Sequence, residues 1–92
     1  MAIVRRLYTF KGRVQGVGFR FTAMHYAQQL GLSGWVKNEY DHSVTMEVQG
    51  SDTRVAALIH HLCSDTYIRV DSATFEELPV KQGMKGFTVR GW

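Results

Sequence analysis

The sequence is sparing with the features that mark secreted, membrane-bound and multidomain proteins. Among 92 residues there is one cysteine, Cys63, so no internal disulfide can form. The fold must therefore stand on packing, which suits a reducing cytoplasm. Cys63 itself is expected as a packing residue on a helix. No apolar run approaches the ~20 residues that span a bilayer. The N-terminal Met1-Ala2-Ile3-Val4-Arg5-Arg6 lacks the long apolar stretch of a signal peptide. A cytoplasmic chain with no membrane partner is the expectation. Proline occurs once, at Pro79, and there is no repeat, low-complexity tract or Pro/Ser-rich linker to divide the chain. One domain over 1–92 is expected, and its small size favours a monomer. Charge is also modest. A net +3 favours anionic partners in general, but no basic run exceeds Arg5-Arg6, too little to argue for nucleic acid.

What is present has clear periodicities. From Ile3 to Lys11, Tyr8 and Phe10 share one face and Leu7 and Thr9 the other, the pattern of a strand. Ala23, Ala27 and Leu30 lie at helical spacing within 21–30, and Gly31 stands where a C-terminal helix cap belongs. Trp35 to Asn38 begins a second strand, with Trp35 expected in the core. Asn38 to Ser43 reads as a hairpin connection. Val44, Met46 and Val48 alternate with Thr45, Glu47 and Gln49 in a half-buried third strand. Gly50-Ser51-Asp52 offers a helix N-cap. Val55, Leu58, Ile59 and Leu62 then stand at i, i+3, i+4 and i+7, a clear amphipathic helix. Val70 to Glu77 and the shorter Phe87 to Arg90 complete the chain as strands. The order β-α-β-β-α-β, with an extra edge strand, is the α+β ferredoxin-like split βαβ plan. Two helices should cover one face of a mostly antiparallel sheet.

The segment Gly12-Arg13-Val14-Gln15-Gly16-Val17-Gly18-Phe19-Arg20 joins the first strand to the first helix. Its three glycines mark backbone that needs unusual dihedrals. The helix that follows adds unpaired N–H groups and the positive end of its dipole, so the segment can cradle an anion. Arg20 opposes that dipole, an unfavourable placement unless its guanidinium grips phosphate oxygens. No Lys or Ser/Thr follows the last glycine as in a nucleotide P-loop. A dinucleotide site would need a parallel βαβ unit and a later acidic residue. Between Gly12 and Arg20 there is no Cys, Ser, Thr, Asp, His or Lys. A phosphate site without a nucleophile cannot run covalent catalysis from its loop. Water must attack directly, and with no evident metal cluster the substrate should be intrinsically activated. Mixed carboxylic–phosphoric anhydrides satisfy this, because a carboxylate leaves readily. Neither a cofactor nor a metal is expected.

These residues, with Gly34-Trp35-Val36-Lys37-Asn38 and the following Asp41, Ser43 and Val44, resemble the two signatures of the acylphosphatase family. The resemblance covers essentially the whole chain and identifies it with the small stand-alone members. It implies hydrolysis of a small-molecule acyl phosphate to carboxylate and phosphate. Arg20 would bind the phosphate with the backbone amides of Gln15, Gly16, Val17, Gly18 and Phe19, and inorganic phosphate or sulfate would fit the same place. Asn38 would hold the attacking water through its side-chain amide. Catalysis would come from positioning and charge stabilisation.

The chain also departs from the family. Asp41-His42 stands where Asp-Gly is usual, and His42 would be strained by ~1 kcal/mol if its φ is positive. Ala23 and Met24 replace polar residues, and Thr45 a glutamate. Two other functions compete. A non-catalytic anion-binding module would keep the loop without turnover. An RNA-binding module shares the overall plan, and Lys85-Gly86-Phe87-Thr88-Val89 faintly resembles its sheet motif, though on the last strand and without aromatic partners. His25, His60 and His61 have no carboxylate or cysteine at ligand spacing and read as structural or solvated. Asp41 reads as a turn cap.

Overall fold

Alternation along the first strand sends Tyr8 and Phe10 to one side. In the computed structural model, which describes residues 2–91, both are buried and their rings stack at 5.6 Å. Met1 and Trp92, the ends of the expected 1–92 domain, lie outside the described residues. The elements are β1 (Ile3–Arg13), α1 (Phe19–Gln29), β2 (Ser33–Asn38), β3 (Val44–Ser51), α2 (Asp52–Cys63), β4 (Arg69–Leu78) and β5 (Phe87–Arg90). The sheet order is β4-β1-β3-β2-β5, antiparallel throughout except for the parallel β2–β5 pair. This is the ferredoxin-like α+β plan, with β5 adding the far edge.

Each helix buries a narrow stripe against the sheet. In α2, Val55, Leu58 and Leu62 are inaccessible, and Ser51 caps the helix by accepting a hydrogen bond from the Arg54 N–H at 3.3 Å. In α1, Phe19, Ala23 and Ala27 are buried. The small alanines let the helix lie close to the strands. Its C-terminus closes on Gly31 at φ 68, with Gly31 N–H donating to Gln28 O and Leu32 N–H to Ala27 O. That double return satisfies carbonyls the helix would leave orphaned.

Three details differ from the sequence reading. Cys63 is exposed rather than packed, because it ends α2 just beyond the stripe that Leu62 closes. Trp35 is not in the core. Its neighbour Val36 takes the inward position, so Trp35 lies half-buried on the opposite face of the sheet, with the Arg90 guanidinium 4.6 Å from its ring centre. Gly12 belongs to β1 rather than to the loop. It sits at a register shift against β4, and a Cβ there would stand 2.2 Å from Arg69 O.

Gly34 is more constrained still. Its φ is 145, and a Cβ would fall 1.8 Å from the Glu47 carbonyl oxygen of the paired strand. Only backbone stands in the way, so nothing flexible can yield. Gly34→Ala is expected to cost roughly 3 kcal/mol from overpacking and backbone strain together. For a domain of this size that lowers the melting temperature by roughly 12–24 °C. Thermal unfolding followed by circular dichroism checks it; a loss of only a degree or two would contradict the tight β2–β3 approach.

Candidate active site

The loop from β1 to α1 is fastened at both ends and open in the middle. Val14 and Phe19 are each 1% exposed, and the Phe19 ring packs on Phe10 at 5.0 Å. Between them Gly16 (φ 72) and Gly18 (φ 79) are exposed and left-handed, with nothing within 4 Å of where a Cβ would be. Glycine is therefore required here by conformation rather than by space. Left-handed residues set at this interval are the backbone pattern of anion-binding concavities.

Gly18 is also the N-cap of α1, which has no side-chain cap and no acidic residue in its first turn. The first N–H groups of the helix are thus left to whatever occupies the loop. Helix α1 starts two residues before the sequence reading placed it, so Arg20 lies inside the first turn. Its half-buried side chain reaches the end of β5, where Nη1 donates to Arg90 O at 3.5 Å.

Asn38 ends β2, beside the loop. A cavity of about 150 Å³ is lined by Val14, Gly16, Gly18, Phe19, Arg20, Phe21 and Asn38. The fold thus brings Arg20 and Asn38 together with Gly16, Gly18 and Phe19 of the expected loop, while Gln15 and Val17 do not line this cavity. The Asn38 side-chain oxygen is buried and accepts no hydrogen bond from the described residues. Leaving such an acceptor without any partner would cost roughly 1–3 kcal/mol. Among the described residues no group of three or more His, Cys, Asp or Glu could hold a metal ion.

The turn after Asn38 is held by polar contacts. Glu39 N–H donates to Ser43 O at 2.9 Å, and Asp41 Oδ1 accepts from the Ser43 N–H at 3.0 Å and from the Ser43 hydroxyl. Those bonds, the hydroxyl's first, hold the Asp41 carboxyl below the usual carboxylate range. Asp41 is thus a turn cap, as its position suggested. His42 has φ 71, the one positive value at a non-glycine among the described residues. His42→Gly relieves ~1–2 kcal/mol of backbone strain and returns about 0.4–1 kcal/mol through a looser unfolded chain. A net gain of about 0.8 kcal/mol, or roughly 3–6 °C in melting temperature, is expected, readable by scanning calorimetry.

One contact was invisible in the sequence. The Gln15 side-chain NH₂ donates to Glu39 O and to Ser43 O, both at 2.9 Å. Its partners are 24 and 28 residues away, so no local pattern announces them. His60 and His61 are exposed, and His61 stacks on Tyr26 at 4.3 Å. Phe87, the aromatic of the RNA-motif likeness, is 2% exposed in the core and offers no ring to stack a base.

Comparison with known proteins shows the family. The acylphosphatase family model matches residues 7–89. An acylphosphatase of Bifidobacterium longum is 37% identical over 90 residues, covering 96% of this chain and 93% of that one. The crystal structure of acylphosphatase from Bacillus subtilis superposes with a TM-score of 0.88 at 26% identity, covering 96% of this chain and 99% of that one. An acylphosphatase from Coxiella burnetii gives a TM-score of 0.86 at 30% identity over 96% and 93% of the two chains. With the family model matching most of its length and its fold shared with these solved structures, the chain belongs to the acylphosphatase family.

Proposed function

We propose that the Arg20–Asn38 cavity binds the phosphoryl group of an acyl phosphate and that water held by Asn38 attacks its phosphorus. The chain is an acyl phosphate hydrolase by family, and the roles of Arg20 and Asn38 are argued from the cavity they share. The observation that carries them is the buried, unpaired oxygen of Asn38 lining the same cavity as Arg20. That oxygen accepts one hydrogen of the water and leaves a lone pair of the water oxygen free for phosphorus. Arg20 and the loop amides take the phosphoryl oxygens. As the water oxygen bonds to phosphorus, the bond from phosphorus to the acyl oxygen breaks. The electron pair leaves with the carboxylate, and the water proton passes to a phosphate oxygen of the product.

No side-chain nucleophile stands in the loop, so rate comes from orientation and charge stabilisation acting on an already labile anhydride. Catalysis without metal or cofactor, by a cytoplasmic monomer, completes the reading. Benzoyl phosphate hydrolysis in the presence of a chelator tests it. Turnover that persists with chelator is expected. Phosphate binding without any turnover would replace this reading with that of a non-catalytic anion-binding module.

A further inference from the structure

We infer that the side chain of Gln15 is a positioning residue that sets Asn38 relative to the phosphate loop. This rests on the water-holding role proposed for Asn38. Both N–H bonds of the Gln15 amide are spent on the carbonyls of Glu39 and Ser43, the two residues that close the turn after Asn38. Glu39 O also accepts from His42 N–H at 3.3 Å, and Glu39 N–H donates to Ser43 O. Gln15 therefore closes from the loop side a turn whose own backbone is strained at His42 and whose Tyr40 is wholly exposed.

The Asn38 oxygen has no hydrogen bond to orient it. Its place is dictated by its backbone, and that backbone runs directly into Glu39. Gln15 belongs to the same short loop as Gly16 and Gly18, which line the cavity. One amide thus ties the element that holds phosphate to the element that holds water. The side chain does not line the cavity, so its loss should leave phosphate binding intact and disturb only the relation between the two.

The test uses Gln15→Met, which keeps length and removes both donors, alone and combined with Asn38→Ala. With benzoyl phosphate, Gln15→Met is expected to lower kcat by about 10- to 100-fold, as for a misplacement near 1 Å. The inhibition constant of inorganic phosphate should be unchanged. In the Asn38→Ala background the same substitution should lower kcat little further, because there is no longer an amide to misplace. Equal losses in both backgrounds, or a parallel loss of phosphate affinity, would overturn the inference. Should Gln15→Met not fold, Gln15→Asn keeps the NH₂ one methylene short of its partners. It must then show the same dependence on Asn38. Normal turnover by Asn38→Ala alone would instead overturn the water-holding role itself.

Discussion

Arg20→Met is expected to lower kcat/KM for benzoyl phosphate by on the order of 10³-fold, with the loss divided between a higher KM and a lower kcat. The size follows from the charges involved. A single neutral donor to a developing oxyanion is worth about 10²–10³ in rate, and a guanidinium on a transferring phosphoryl group reaches about 10³–10⁵. The low end applies here because, on the proposed binding mode, the glycine loop and the helix start also face the phosphate and remain in the variant. KM should rise as well, since the guanidinium meets phosphate oxygens already in the bound substrate. Arg20→Lys keeps the charge and loses the two-pronged fork, so an intermediate loss is expected.

Stability separates this loss from simple unfolding. A positive side chain in the first turn of α1 opposes the helix dipole by about 0.3–1 kcal/mol. Among the contacts it makes in the fold is a long hydrogen bond to Arg90 O, at 3.5 Å. Methionine loses such contacts and the dipole penalty together, so it should melt within a few degrees of the native chain. Added phosphate should raise the melting temperature of the native protein and scarcely that of the variant, because only a state that binds ligand is stabilised by it. A variant that melts early and loses activity in proportion would remove Arg20 from the site.

The parts of the fold that could be read in advance are those where local pattern and tertiary role coincide. Helix α2 shows its stripe of Val55, Leu58 and Leu62 and its Ser51 cap, and the structure uses both. Strand β3 alternates cleanly between buried Val44, Met46, Val48 and half-buried Thr45, Glu47, Gln49. Helix α1 starts earlier than its pattern suggests because Gly18 caps it without a side chain, and no acidic residue marks the first turn. Gly12 reads as loop because a glycine at a strand irregularity is indistinguishable from one in a turn until the neighbouring strand is in place. Trp35 and Val36 are adjacent and both apolar, so only the sheet decides which faces in. In the site, Arg20 and Asn38 stand out through the spacing of glycine, arginine and asparagine. The Gln15 link does not, since it joins two turns that meet only after β1, β2 and β3 have paired.

Asn38→Ala is expected to lower kcat by about 10²–10³-fold while leaving phosphate affinity nearly unchanged, and to do so without destabilising the fold. The two halves of this expectation share one cause. The Asn38 oxygen is buried with no donor among the described residues, and a buried acceptor so placed contributes little to the stability of the fold. Truncation to alanine deletes the orphaned acceptor and should raise the stability by about 1 kcal/mol, after some contact with the loop is lost. On the role proposed above, the attacking water is that oxygen's partner in the working site, and the amide holds it in line with phosphorus. Urea unfolding and kcat measured on one preparation decide the matter. Greater stability with lost turnover fits a group kept unsatisfied for the sake of its ligand. Lower stability with normal turnover would make Asn38 an ordinary structural residue at the end of β2.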